Sequence, residues 1–183
     1  MKKILIIIIL IIIILILLIF LNKKKDTSIN KLLNKKVEYD KLLKIEYSNS
    51  GNSNGNIDSI SIDIDKLILT KRYREEIGIP IEATEYKITK ENIEYLKNYI
   101  EKYNLVAWSF LEIDDDNIIL DGSVVNICFI YDNSKINGEK YKTYSISYAN
   151  KIPKDGYKIL NEFNNYIFSL EKEENLIKKY IEK

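Results

Sequence analysis

The chain has 183 residues, 28 basic against 27 acidic, with no histidine and one cysteine. Without imidazole the commonest general base and metal ligand is missing, and the lone Cys128 excludes an internal disulfide, so stability must come from packing. The near-neutral total hides an asymmetry: residues 1–44 hold ten lysines against Asp26, Glu38 and Asp40, a net +7, while the remainder holds 18 basic and 24 acidic residues, a net −6. An acidic body of this kind offers no basic face to nucleic acid.

Ile4 to Leu21 contains no polar side-chain atom. About eighteen residues at ~1.5 Å each give ~27 Å of helix, close to the ~30 Å of a bilayer core. Lys2 and Lys3 precede the run, and Lys23, Lys24 and Lys25 end it. It lacks the small residues of a signal-peptidase site, so a retained transmembrane anchor is expected over a cleaved leader. With no glycine seam and no ionisable group it is a tether into the lipid bilayer rather than a packing or transport element. A very short amino-terminal tail favours export of the chain beyond the anchor. The lysine count after the anchor argues for the opposite orientation. We expect the domain to face outward.

Residues 22–40 read as a basic stem, with Ile29, Leu32, Leu33 and Val37 at helical spacing and Ser28 as a cap. Such a stem suits an anionic lipid surface. Leu43, Ile45 and Tyr47 then alternate with polar neighbours as in a half-buried strand. Ser48 to Asn56 is a Gly/Asn/Ser loop. Ile57 to Arg74 predicts a hairpin turning at Asp65-Lys66, with Ile62 opposite Leu69 and Ile60 opposite Lys71. Ile60, Ile62, Ile64, Leu67, Leu69 and Tyr73 then share a face. Arg72, Arg74, Glu75 and Glu76 read as surface ion pairs, each worth little. Ile81 to Ile88 predicts a third strand.

Thr89 is placed to cap a helix over Lys90–Tyr103 whose buried stripe is Ile93, Leu96, Ile100 and Tyr103, flanked by Tyr95 and Tyr99. Asn104 stops it, and Trp108, Phe110 and Leu111 are expected to plug the end of the core. Asn137-Gly138 between two alternating runs predicts a second hairpin. Its expected pairs are Tyr131–Tyr144, Phe129–Ile146 and Ile127–Tyr148. These six residues face the core, and Asn126, Cys128, Ser145 and Ser147 face away. After Pro153 a helix is expected from Asp155, burying Tyr157, Leu160, Phe163, Ile167 and Leu170. Leu176, Ile177, Tyr180 and Ile181 continue an amphipathic helical pattern. The order of elements predicts an α+β domain, an antiparallel sheet with helices on one face. The chain thus divides into a tail (1–3), an anchor (4–21), a stem (22–40) and one domain (41–183).

Little chemistry is written in this pattern. Cys128 has no histidine to activate it. The acidic run with Asp114, Asp116 and Asp121-Gly122 supplies the oxygen ligands of a Ca²⁺ loop. The fifth position counted from Asp114 is Ile118, however, where an EF-hand needs Asp or Asn. A solvated acidic loop is the expected reading, and no cofactor is implied. Paired carboxylates could hydrolyse glycosides, but nothing selects one pair.

The polar Gly/Asn loop, SISIDIDKLILTKRY, YKITKENIEYLKNYIEKYNLVAW and SISYANKIPKDGYKILNEFNNYI occur in an order that resembles uncharacterised exported, membrane-anchored proteins of low-GC Gram-positive and other anaerobic bacteria. The outline of the fold is similar to protease- and lactamase-inhibitor domains. The resemblance implies export and anchoring and carries no activity. The sequence therefore points to a tethered binding module with a cell-envelope protein as partner. The alternatives are a surface hydrolase or a cytoplasm-facing membrane regulator.

Overall fold

A computed structural model describes residues 11–17, 32–38, 41–50, 55–112, 124–134 and 139–182. Seven strands build one antiparallel sheet: β1 (Lys41–Ser50), β2 (Ile57–Asp63), β3 (Ile68–Arg74), β4 (Ile81–Lys87), β5 (Val124–Asn133), β6 (Glu139–Ser147) and β7 (Leu176–Glu182). Their spatial order is β6-β5-β1-β2-β3-β4-β7. Helices α1 (Lys90–Lys102) and α3 (Lys154–Phe168), with the short α2 (Leu105–Trp108) after α1, complete the α+β domain. Leu96 and Ile100 of α1 and Leu160, Phe163 and Ile167 of α3 join Ile45, Ile62, Leu69, Ile127 and Phe129 of the sheet in one buried cluster.

The first hairpin forms in the expected register, Ile60 against Lys71 and Ile62 against Leu69. Ile60, Ile62, Ile64 and Leu69 are buried, but Tyr73, on the same face, is exposed. In β1 the pairing with β5 slips between Leu42 and Lys44. The bulge moves Leu42, rather than Leu43, to the buried side with Ile45 and Tyr47. An extra residue in one strand inverts the alternation beyond it. The strand also runs to Ser50, into the stretch expected to be loop; residues 51–54 of that stretch lie outside the described residues.

The second hairpin keeps its faces and changes its register. Phe129 stands opposite Tyr144 and Ile127 opposite Ile146, two residues from the expected pairs, and the ladder is irregular between Tyr131 and Asn133. A slip of two preserves which side each residue faces. Ile127, Phe129, Tyr131, Tyr144 and Ile146 are therefore still buried. Asn133 pairs with Glu139, so the connection is longer than two residues; Asn137-Gly138 itself lies outside the described residues.

Thr89 caps α1 through a reciprocal box: its hydroxyl accepts from the Asn92 amide at 3.2 Å, and Asn92 Oδ1 accepts from the Thr89 amide at 2.9 Å. The tyrosines expected to flank the buried stripe line the seam with α3. Tyr95 stacks on Tyr166 at 3.9 Å, and the Tyr99 hydroxyl donates to the Ile159 carbonyl at 3.0 Å. Trp108 is wholly buried, whereas Phe110, expected beside it in the core, is exposed.

The end of the chain departs from expectation. Leu176–Glu182 is not helical but an edge strand paired with β4. Its apolar residues fit either period. The decision is made across the ladder, where Lys178 and the Tyr180 hydroxyl meet Glu85 at 3.4 and 3.0 Å, and Glu182 meets Arg72 at 2.7 Å. Tertiary pairing overrides a local helical pattern. Arg72 and Arg74 consequently do not pair with Glu75 and Glu76: Arg74 donates to the Gly55 carbonyl at 3.0 Å.

Residues 11–17 are helical, and each of these aliphatic side chains is about half exposed. The rest of 4–21 lies outside the described residues, and among the described residues no helix is long and apolar enough to cross a membrane.

This packing sets two expectations about stability. A Cβ on Gly156, in the first turn of α3, would stand 2.8 Å from Trp108 Cζ3 and 2.8 Å from Ile152 Cγ2. The indole cannot retreat, being fully buried with its N–H bonded to the Tyr103 carbonyl at 3.1 Å. Gly156→Ala gains about 1 kcal/mol of helix propensity and loses ~1–3 kcal/mol to overpacking. We expect net destabilisation in urea melts followed by the single tryptophan. A neutral or stabilised variant would refute the close packing.

The phenols give the second expectation. Burial, followed by the charges of Tyr47 and Tyr157, pushes Tyr148 up to about 12, and burial is also the largest cause raising Tyr47 and Tyr99. Above the ordinary tyrosine range the unfolded chain loses protons that the folded chain keeps, so stability falls as pH rises. The thermal midpoint should be flat from about pH 7 to 9.5 and drop between about 10 and 12. Tyr148→Phe should make that drop shallower, and an unchanged slope would remove Tyr148 from the account.

Candidate functional site

Where the stem meets the domain there is a cleft of about 630 Å³ lined by Leu32, Lys35, Phe110, Leu111, Glu112, Lys151 and Pro153. Three distant stretches build it, and asparagines tie them together. Asn104 adopts a left-handed backbone, φ 46°, which asparagine tolerates better than most residues. Its Nδ2 donates to the carbonyls of Leu32, Leu33 and Lys35 at 2.9, 3.2 and 2.6 Å. The residue expected to stop α1 therefore also clamps the stem. Leu32 and Val37 pack on the core beyond it.

On the opposite wall Asn150 is buried. Its Oδ1 accepts from the Ser147 amide at 2.7 Å and its Nδ2 donates to the Leu111 carbonyl at 2.8 Å. The Lys151 amide donates to the Glu112 carbonyl at 2.8 Å. At the mouth, Lys35 Nζ lies 3.6 Å from the centre of the Phe110 ring, and Lys151 Nζ lies 3.5 Å from Glu112. The ring contact offsets part of the cost of exposing Phe110, since a cation over an aromatic face is favourable without burial of the ring. The walls are mostly apolar, the mouth carries two ammonium groups and the Glu112 carboxylate that pairs with one of them, and among the described residues no hydroxyl or thiol nucleophile lines the cleft.

Asp114, Asp116 and Asp121 lie outside the described residues, and among the described residues no group of three acidic or thiol side chains could hold a metal. Cys128 sits on the polar face of the sheet, its Sγ 3.3 Å from Ser145 Oγ. That face is lined by Ser48, Ser59, Ser61, Thr70 and Glu46, which share cross-strand rows. Among the described acids with a shifted ionisation, Asp63 and Glu91 both move downward. Burial opposes the shift at Asp63, but Lys66 hydrogen bonds and charge outweigh it; at Glu91 hydrogen bonds from its own amide and Thr89 are responsible. A general acid needs the reverse.

A second polar niche lies beyond the carboxyl end of α3. Lys71 Nζ bonds Glu171 at 2.7 Å. Its pKa is raised overall, burial being opposed and exceeded by Glu171 and then Asp58. Asp58 Oδ1, Asn49 Oδ1 and Glu171 Oε1 are buried there without a donor among the described residues. The Lys71 ammonium supplies positive charge to this niche.

The remaining feature is a bare stretch of sheet. Seven strands at ~4.8 Å span about 29 Å, and two helices of ~10 Å cover about 20 Å. Coverage holds over Leu69 of β3 and fails toward the Tyr73 end of that strand and along β7 on the helical side. Tyr73 is 46% exposed, Ile181 54% and Ile177 49%, and Ile77 in the β3–β4 loop is 71% exposed. Tyr73, Glu82 and Ile181 lie in one cross-strand row. The sequence placed Tyr73 correctly on the helical face, but only the strand order shows that no helix reaches it.

Compared with known proteins, the chain matches no family model and no curated protein.

The clamp is directly testable. Asn104→Gly keeps the backbone conformation and removes the side-chain donor, so trypsin should cut after Lys35 and Lys36 several-fold faster while the urea midpoint moves little. Unchanged cleavage would mean that packing of Leu32 and Val37 holds the stem without Asn104.

Proposed function

We propose that the chain is a non-catalytic binding module, tethered to a membrane by Ile4–Leu21 and carrying its α+β domain on the outer side. The exposed Ile177 and Ile181 of the edge strand β7, with the exposed Tyr73 beyond Glu82 in the same cross-strand row, are the observation that carries this reading. Exposed apolar residues gathered at a free sheet edge are a common ground for protein contact. The tether rests on the length and composition of 4–21, and the aliphatic residues 11–17 are not buried by the domain. A stem clamped by Asn104 would hold that domain close to the bilayer.

Carbonate washing should leave the full chain in the membrane fraction, and protease added to intact cells should digest the domain. A photo-crosslinking side chain at Ile181 should give adducts with another protein, and one at Glu94 on exposed helix should not. Release by carbonate, protection until lysis, or crosslinks equal at both positions would each defeat the corresponding part of the reading.

A further inference from the structure

The two sides of β7 differ. On the polar side its residues are engaged within the chain: Lys178 and Tyr180 with Glu85, and Glu182 with Arg72. On the other side, Lys179 and Ile181 stand opposite Thr84 and Glu82, with Ile177 at the irregularity beside them. The isoleucines are about half exposed, and Lys179 forms no ion pair with any described residue. β7 is the terminal strand of the sheet, so its outer backbone edge has no partner strand among the described residues. An exposed row of strand N–H and C=O groups accepts another strand.

We propose that this edge takes an extended segment of another protein with the pattern apolar-x-acidic-x-apolar, laid antiparallel on β7 with its acid opposite Lys179. This rests on the reading of the chain as a binding module and names the chemistry of its partner. Directly opposed residues of an antiparallel pair interact most strongly, opposite charges favourably and like charges unfavourably. A second copy is disfavoured by the same rule. Two β7 strands paired so that Ile177 meets Ile181 place Lys179 against Lys179. A register shifted by one pair centres Tyr180 and sets Lys179 against Ile181, leaving the ammonium without a counter-charge. That register also sets Lys178 against Glu182, but Glu85 and Arg72 already engage them within the chain, so a second copy leaves Lys179 unanswered and an acidic strand answers it.

The test uses the full chain in phosphatidylcholine nanodiscs and eleven-residue fluorescent peptides centred on Val-Thr-Glu-Thr-Val or Val-Thr-Lys-Thr-Val, followed by anisotropy. The Glu peptide should bind about five- to tenfold more tightly than the Lys peptide. Lys179→Glu should invert that preference. Ile181→Ser should weaken both peptides severalfold while leaving their ratio in place. Equal binding of the two peptides, a preference unmoved by Lys179→Glu, or no binding of either up to millimolar concentration overturns the proposal. So does self-association of the chain that Ile181→Ser abolishes, which would assign the edge to a second copy. Crosslinks from Ile181 to a partner segment without an acid would overturn this inference and leave the binding-module reading intact. An absence of crosslinks would remove both.

Discussion

The structure depends on β1 being paired along both edges. It bonds to β5 on one side and to β2 on the other, and without it the β5–β6 hairpin would be a ribbon detached from the four-stranded β2–β3–β4–β7 unit. Two-stranded hairpins are marginal in water; three or more strands with a covered apolar face are not. β1 supplies that join, and it carries Ile45 and Tyr47 into the buried cluster between them. Its bulge between Leu42 and Lys44 reconciles this inward pair with an inward Leu42 one residue out of phase. The stem leads into this strand. Any displacement of the stem therefore acts on the middle of the sheet, and the Asn104 clamp lies on that route.

Sidedness was legible in the sequence and register was not, for a physical reason. Alternation has a period of two, so Ile127, Phe129, Tyr131, Tyr144 and Ile146 reach the core in either of two pairings two residues apart. Their exact partners depend on how many residues the connection consumes, and the irregular ladder at Asn133 changes that number. In the first hairpin no such irregularity intervenes, and the pairing follows the pattern directly. The Thr89 cap of α1 and the buried stripes of α1 and α3 were legible because they are local. β7 was not, because Leu176, Ile177, Tyr180 and Ile181 satisfy a helical stripe as well as a strand, and the deciding partners, Glu85 and Arg72, lie about a hundred residues away.

The cleft was invisible for a related reason. Its walls come from residues near 32, 110 and 151, and none of these stretches carries a motif. What assembles them is side-chain hydrogen bonding to backbone from Asn104 and Asn150; Asn104 was legible only as a helix stop, and Asn150 did not stand out among the many asparagines. Phe110 shows the cost of arguing from residue type alone: an aromatic beside a buried tryptophan was expected inside, and it stands at the cleft under the Lys35 ammonium.

The number of strands sets how much of the sheet the helices can cover. Helices α1 and α3 are joined by their own tyrosine seam and cannot spread apart to cover more of the sheet without breaking it. Adding β7 to β4 lengthens the sheet beyond their reach, so one edge gains cross-strand ion pairs on its polar side and loses shelter on the other. Lysine is a usual guard on such edges, because its charge discourages indiscriminate pairing. Here the guard is divided. Lys178 is engaged by Glu85 inside the chain, and of the two only Lys179 still carries an uncompensated charge outward among the described residues. A fully compensated edge would be indifferent to the charge of an incoming strand, and one with several free lysines would demand a strongly acidic partner. A single free ammonium between two exposed isoleucines sets a narrower requirement, one acid within an otherwise apolar alternation, and that is a requirement a specific partner can meet.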